Sequence, residues 1–292
     1  MATFAAITGT VGEQPAVPAL PGASPSGESF VQRYKWQLVG GGVVAVGLVA
    51  FLARKQVGAA VSSVEAAAVR ALMPKGTEYL ADLAFELGPK YDVSPYTILG
   101  ITFAESDFGR QLTPKGPGGT GDFIPRPVSK DPAVNARRAS LPGVTRQTLA
   151  NGIPRRGIEG PVEAWVPGAR GWGHGLYQLD WEAFNSYLAG SNDWADPRKA
   201  MEKALALYAG NKAKIKAAVP NLGPVDLLRA TVASYNAGVG AVIPALRAGV
   251  PADQLDKGAA RSKGGTRVTF GQGYVDHILG KASSFTKAGK AA

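Results

Sequence analysis

The chain has 292 residues, 45% of them hydrophobic and 18% charged, so it can bury a sizeable core in one or two domains and is not wholly disordered. Its 32 Lys and Arg against 22 Asp and Glu leave a net charge of +10, which favours an anionic partner such as nucleic acid, a membrane or a cell wall. The absence of cysteine excludes disulfides and Cys-ligated zinc. With two histidines an all-His zinc site and HExxH are excluded too, and we expect no metal or cofactor.

The N-terminal part divides into three segments by composition. Residues 1–35 are rich in Pro, Gly, Ala and Ser and cannot bury enough apolar area to become ordered, which predicts a disordered arm. Residues 36–53 are uncharged, and their number just falls within the roughly 17–25 residues that span a bilayer. We therefore predict a single transmembrane helix over residues 36–55, with a buried core helix as the alternative. The Ala-rich residues 56–75 favour a helical linker.

Two helices are predicted next. The leucines of "GTEYLADLAFELGPKY" share one face, and this helix stops at Gly88-Pro89. The segment "VSPYTILGITFAESDFG" follows, with Ser94 as N-cap, Pro95 at the first helical position and Gly109 as terminator.

Three further helices are predicted towards the C-terminus. "DPRKAMEKALALYAG" opens with Asp196-Pro197, and "GPVDLLRATVASYNAG" sets Leu228 and Tyr235 at helical spacing. The last amphipathic piece, "GQGYVDHILGKASSF", precedes a polar tail over residues 286–292. The chain beyond the linker is therefore expected to be mostly α-helical.

Residues 110–170 differ in composition from the helices on either side. Their many prolines and glycines exclude long helices and predict loops with short strands. Ten Lys or Arg against four Asp or Glu give this segment a charge of 10 − 4 = +6. Its "KGPGGTGD" lacks the Gly-Lys-Ser/Thr ending of a phosphate-binding loop, so nucleotide binding is disfavoured.

Glu105 lies where an amphipathic helix would carry an apolar side chain. It shares a helix face with Ile98 and Ile101, and the same stripe extrapolates to Phe108. Burying an unpaired carboxylate costs several kcal/mol, so such a group is usually protonated, paired or functional. The alternative to a functional role is an ion pair with a nearby Arg.

A second segment with polar side chains among glycines is "GWGHGLYQLDWEAF", residues 171–184. Three glycines allow close backbone approach, and Gln178 and Asp180 alternate with apolar neighbours. The alternative interpretation is a hairpin or loop packed by Trp172 and Trp181.

Three blocks occur in an order that resembles the lytic transglycosylase and goose-type lysozyme superfamily, whose members cut the peptidoglycan glycan strand. "ES" at Glu105-Ser106 matches the family's catalytic Glu, "GLYQ" at residues 175–178 matches its "GLMQ", and "YNAG" at residues 235–238 matches its "YNAG". "YVDHIL" also looks like the family's last helix. The resemblance covers residues 76–285, with residues 110–170 as an insertion.

The resemblance implies a mostly α, α+β lysozyme-like domain in which Glu105 is the general acid. Glu105 would protonate the leaving oxygen of the β-1,4 bond between N-acetylmuramic acid and N-acetylglucosamine. Asp180 falls at the place of the goose-type water-activating carboxylate, with a loop-structuring role as the alternative. Without such a carboxylate the sugar's own 6-hydroxyl attacks and gives a 1,6-anhydro product. The other candidate site residues position the substrate: Ser106, Gln178, Tyr235 and Asn236. Tyr235 is a candidate hydrogen-bond donor to Glu105, with a core role as the alternative.

The function expected from these patterns is that of a membrane-anchored muramidase whose catalytic domain faces peptidoglycan, with hydrolysis favoured over transglycosylation. A phage virion, an endolysin and a secretion system are all compatible settings. The alternative is a non-enzymatic glycan-binding or structural protein of a virion or envelope-spanning assembly that keeps a lysozyme-like fold. A nucleic-acid partner is disfavoured, because only the net charge supports it.

Overall fold

A computed structural model describes residues 63–255 and 273–291. The predicted arm (1–35) and transmembrane helix (36–55) lie outside these residues. Within the described ranges, no helix is long and apolar enough to cross a membrane. Residues 63–70, in the predicted linker, are helical.

The described residues are mostly α-helical with two small sheets, which is the fold class that the sequence predicts at this level. After the helical residues 63–70, the helices in chain order are α1 (Tyr79–Leu87), α2 (Pro95–Ser106), α3 (Pro132–Ala139), α4 (Asn185–Gly190), α5 (Pro197–Ala218), α6 (Pro224–Ala237), α7 (Val239–Arg247) and α8 (Tyr274–Ala291). Short 3-10 turns occur at Gly88–Tyr91, Pro154–Arg156, Asp193–Ala195 and Ala252–Gln254.

Both sheets are three-stranded and antiparallel. The first has the order β1 (Thr120–Gly121), β5 (Gly173–His174) and β6 (Leu179–Asp180). The second has the order β2 (Arg126–Pro127), β4 (Val162–Val166) and β3 (Thr145–Leu149). Strands β1 to β4 all belong to the 110–170 insertion, and β1 pairs with β5 of the "GWGHGLYQ" segment. This pairing attaches the insertion to the segment that carries Gln178 and Asp180.

The helix starts are as predicted. Ser94 precedes α2 in an extended conformation, and the Asp196 side chain accepts a hydrogen bond from the Lys199 amide at the start of α5 (3.0 Å). Two helix ends differ from the prediction. Helix α2 ends at Ser106, because Asp107 and Phe108 adopt positive φ angles of 49° and 57°, so Phe108 is buried without continuing the helical stripe.

Helix α8 also departs from the prediction, because it continues through the predicted polar tail to Ala291. Phe285 is fully buried, and one turn later Gly289 is buried beside the Tyr96 hydroxyl. The lysines of this stretch are compatible with a helix because they are good helix formers at exposed positions.

Helices α2 and α8 pack closely because residue 100 is a glycine. A Cβ atom at Gly100 would lie 2.8 Å from the backbone oxygen of Ile278, so a larger residue would push the helices apart. Tyr274, one turn before Ile278, reaches Glu105 at the far end of α2. The helix crossing therefore sets the surroundings of Glu105.

Candidate active site

Glu105 lies in the wall of a cleft of about 700 Å³. Its neighbours along α2, Ile98 and Ile101, are fully buried, and Glu105 itself is only 9% exposed. The predicted burial of this carboxyl is therefore confirmed. The ion pair with Arg, considered from the sequence, is not found among the described residues.

The cleft is built mainly from the insertion. Its other walls come from the end of α2 and from the "GLYQ" segment, and its surface is largely apolar. The lining residues are Ala104, Glu105, Gln111, Leu112, Asp122, Phe123, Ile124, Pro125, Leu149, Gly152, Ile153, Pro154 and Gln178.

Burial raises the pKa of Glu105 from its ordinary value of 4.5 to about 8. A hydrogen bond from the Tyr274 hydroxyl to Glu105 Oε1 opposes this shift, whereas the negative charge of Asp122 adds to it. Glu105 is therefore mostly protonated at neutral pH, which is the state that a general acid requires.

Tyr274, not Tyr235, is the tyrosine that is hydrogen-bonded to Glu105. The Tyr235 hydroxyl instead donates to the backbone oxygen of Tyr177 at 3.2 Å. The sequence suggested a Tyr235–Glu105 bond, because helical phase shows which face is buried but not which of two tyrosines reaches the carboxyl. Tyr235 is still close enough for the Glu105 charge to add to the rise that burial causes in its pKa.

Asp122 is the second carboxyl group that lines the cleft. It adopts a φ of 50° just after β1, and its backbone oxygen accepts a hydrogen bond from the Trp172 amide at 2.9 Å. Burial raises the pKa of Asp122, while the Arg126 guanidinium and the Ile124 amide oppose the rise. Two carboxyl groups thus line one cleft, and burial raises the pKa of both, but Asp122 also has the Arg126 guanidinium beside it, which opposes the rise.

Gln178 also lines the cleft, and the predicted glycines make room for it. Its amide nitrogen donates to the backbone oxygen of Gly175 at 3.0 Å. A Cβ atom at Gly121 or Gly173 would lie 2.5 or 2.3 Å from Gln178 Oε1, so a larger residue at either position would displace the Gln178 amide from its present place. The structure therefore brings Gln178 and Glu105 to one cleft.

Asp180 does not line the cleft. One of its oxygens accepts the amides of Glu182 and Ala183 at 2.9 and 3.1 Å, and both oxygens accept hydrogen bonds from the Arg126 guanidinium. These contacts fit a loop-structuring role for Asp180, which is the alternative considered from the sequence. A carboxylate that already accepts four hydrogen bonds is poorly placed to take a proton from water.

The other predicted site residues lie behind the cleft. Ser106 is fully buried, and its hydroxyl donates to the Leu176 backbone oxygen at 2.8 Å, which ties α2 to the "GLYQ" segment. Asn236 is 3% exposed, and its side-chain oxygen has no partner among the described residues. Neither residue lines the cleft wall, and both are buried.

The aromatic residues of the glycine-rich segment belong to the core. Trp172 and Trp181 are buried, and the His174 ring stacks on Trp181 with centroids 4.9 Å apart. Burial lowers the pKa of His174 to about 4. No cluster of His, Asp or Glu within the described ranges could hold a metal ion.

Sequence reasoning missed Asp122, Arg126 and Tyr274. Asp122 is one of four acidic residues in a Pro- and Gly-rich segment, and no periodicity distinguishes it from the others. Tyr274 opens the "YVDHIL" segment that resembles the family's last helix, which is the signal that pointed closest to it. Arg126 appeared only as part of the insertion's positive charge.

Replacing Tyr274 with Phe should shift the alkaline limb of the pH–activity profile to higher pH. In the wild type the hydrogen bond from Tyr274 favours the ionised form of Glu105, so removing this bond raises the pKa of Glu105 further. At neutral pH we expect a loss of no more than ~10-fold, because a hydrogen bond contributes about 1 kcal/mol. Profiles of kcat/KM for Y274F and the matched variant Y235F test this, and a limb that moves equally in both would contradict it.

No protein-family model, curated protein or solved structure matches this chain.

Proposed function

We propose that this chain is a glycosidase that cuts the β-1,4 bond between N-acetylmuramic acid and N-acetylglucosamine in peptidoglycan. The observation that carries the proposal is the buried, mostly protonated Glu105 in the wall of a cleft that also contains Asp122 and Gln178. The resemblance of the "ES", "GLYQ" and "YNAG" blocks to lytic transglycosylases and goose-type lysozymes supports the same assignment and a lysozyme-like fold.

In this reaction Glu105 gives its proton to the glycosidic oxygen as the bond to the muramic acid C1 carbon breaks. Water attacks C1, and the ionised Asp122 takes a proton from that water. Glu105 is left ionised and Asp122 protonated, and exchange of both protons with solvent restores the starting state. Gln178 would hold the sugar through hydrogen bonds.

The apolar wall of the cleft suits a glycan. Phe123 lines it with 44% of its surface exposed, and Ile124, Pro125 and Ile153 extend the same wall. A flat exposed aromatic ring is a good platform for the apolar face of a sugar ring, and N-acetyl methyl groups can be buried beside aliphatic side chains.

The surroundings of the insertion's arginines weaken the nucleic-acid alternative. Arg126 and Arg138 are buried, and both pair with Glu182, as does Arg137. Three of the ten basic residues that make the insertion positive are therefore paired with a carboxylate of the protein, and two of the three are buried and not presented to a phosphate backbone.

Digestion of purified cell-wall sacculi tests the proposed function. We expect soluble fragments that end in reducing muramic acid, which mass spectrometry distinguishes from the 1,6-anhydro form because the hydrolysis product is one water heavier. If all fragments end in the anhydro form, the reaction is transglycosylation and not hydrolysis. Binding to sacculi without release of fragments would favour the non-enzymatic glycan-binding alternative and overturn the proposal.

A further inference from the structure

A buried charge cluster lies directly behind the cleft. At its centre is Arg126, which is 2% exposed. One terminal nitrogen lies 3.4 Å from Asp122 and also pairs with Asp180, and the other lies 3.1 Å from Glu182 and 3.3 Å from Asp180. A single guanidinium thus joins the cleft carboxylate to two carboxylates behind it.

The position of Arg126 is fixed from several sides. Its guanidinium carbon lies 4.3 Å from the centre of the Trp172 ring, and the indole nitrogen of Trp172 donates to the Ile124 backbone oxygen at 3.0 Å. Arg138 donates to Glu182 at 2.8 Å and to the Pro127 backbone oxygen at 2.9 Å. The cluster therefore holds β2 and the Asp122 loop against the segment that follows β6.

Building on the proposed function, we propose that Arg126 is a positioning residue that pairs with Asp122, favours its ionised form and holds it in the cleft wall. Asp180 and Glu182 act through it, because both pair with the same guanidinium and neither lines the cleft. The aspartate at residue 180 then contributes to the reaction by orienting Arg126.

Charge balance explains why the cleft needs this cation. The charged groups that face Asp122 are Glu105, Arg126, Arg156 and Asp180. Burial raises the pKa of Asp122 and the negative charge of Asp180 adds to the rise, whereas Arg126 is the largest opposing influence. A base and an acid in one cleft must differ in proton affinity. Arg126 lowers the proton affinity of Asp122, which has to be ionised to act as the base.

The cluster also keeps Arg126 charged. Burial alone would lower the pKa of its guanidinium, but Asp180, Asp122 and Glu182 together raise it. Arg156, whose own pKa burial lowers, is the further cation beside Asp122 and Asp180. The positive charge beside Asp122 is therefore present throughout the pH range of activity.

The test uses the full chain with Arg126→Met combined with Asp180→Asn, which removes one positive and one negative charge and leaves Glu182 paired with Arg137 and Arg138. Asp180→Asn alone is the background. Arg146→Met is the matched control, because Arg146 lies in the same insertion but forms an exposed pair with Glu163. Arg126→Lys, which keeps the charge and loses the planar fork, serves as a second variant should the double variant not fold.

Two measurements are compared across these variants: the titration of the Asp122 carboxyl by carbon-13 NMR, assigned with Asp122→Asn, and the pH profile of kcat/KM on sacculi. In the double variant we expect the pKa of Asp122 to rise and the acidic limb of the profile to move to higher pH with it. Because Arg126→Lys keeps the positive charge, this variant should leave the acidic limb nearly in place. It should lower kcat more than it changes KM. Arg146→Met should change neither.

An Asp122 pKa that stays the same in the folded double variant would overturn the inference, as would a loss of activity without movement of the acidic limb. The NMR titration does not depend on turnover. If the wild-type protein fails to digest sacculi but the Asp122 titration shifts in the double variant, the proposed function is overturned. The electrostatic role of Arg126 is then still supported.

Discussion

Replacing Glu105 with Gln should slow the digestion of sacculi by about 10²–10⁴-fold, the usual loss when a general acid is removed. Gln has nearly the shape of protonated Glu and can still accept the hydrogen bond from Tyr274, so the fold should be retained. The release of soluble fragments per unit time measures the effect. An exposed carboxylate of the insertion, Glu163, gives the matched control E163Q, which should digest at the wild-type rate.

The same variant has a stability signature that does not require substrate. Glu105 has a folded-state pKa of about 8 against an ordinary 4.5, so the unfolded chain loses its proton first as the pH rises. Wild-type free energy of unfolding should therefore fall between about pH 4.5 and 8, on the order of a few kcal/mol in all, and E105Q should lack this fall. Unchanged activity in folded E105Q would remove Glu105 from the mechanism, and identical stability profiles would contradict its burial.

Replacing Asp122 with Asn should lower the rate of hydrolysis by about 10²-fold or more, because the water then has no base. We expect the remaining product to shift towards the 1,6-anhydro form, since attack by the sugar's own 6-hydroxyl does not need a carboxylate at that place. The alkaline limb should move to lower pH, because the Asp122 charge contributes to the raised pKa of Glu105. Mass spectrometry of the fragments and a kcat/KM profile measure these effects.

Asp180→Asn is the informative comparison for this variant. Asp180 is the water-activating residue expected from the resemblance, whereas Asp122 is the carboxylate in the cleft wall. We expect D180N to reduce stability through the lost Arg126 contacts but to leave reducing ends as the main product. A product shift in D180N together with normal hydrolysis in D122N would reverse the two assignments.

Several features of the site could be predicted because they depend on local spacing. The helical phase of residues 98, 101 and 105 predicts a carboxyl on a buried face, and the structure confirms it. Ser94 and Asp196 both precede predicted helix starts, since such signals involve only the next few residues, although only the Asp196 side chain accepts a capping hydrogen bond. The prediction that long helices are absent from residues 110–170 also holds, since α3 has only eight residues.

Other features could not be predicted, because they depend on distant partners. The polar tail is helical because Phe285 and Gly289 pack against the domain, a contact that residues 286–292 do not reveal by themselves. The sequence shows the positive charge of the insertion but not where each charge lies, and Arg126 and Arg138 are buried against carboxylates from residues 180 and 182.

The sequence by itself determined that Glu105 would be a buried carboxyl near a helix end and that Gln178 would follow in a glycine-rich turn, because side-chain direction along a helix or strand repeats over a few residues. Only the tertiary structure decided which groups surround that carboxyl. Tyr274 reaches it from 169 positions away through the close crossing at Gly100. Asp122 lines the cleft and Asp180 does not. Both are held by the buried guanidinium of Arg126, which needs carboxylate partners and receives them from segments that the pairing of β1 with β5 brings together.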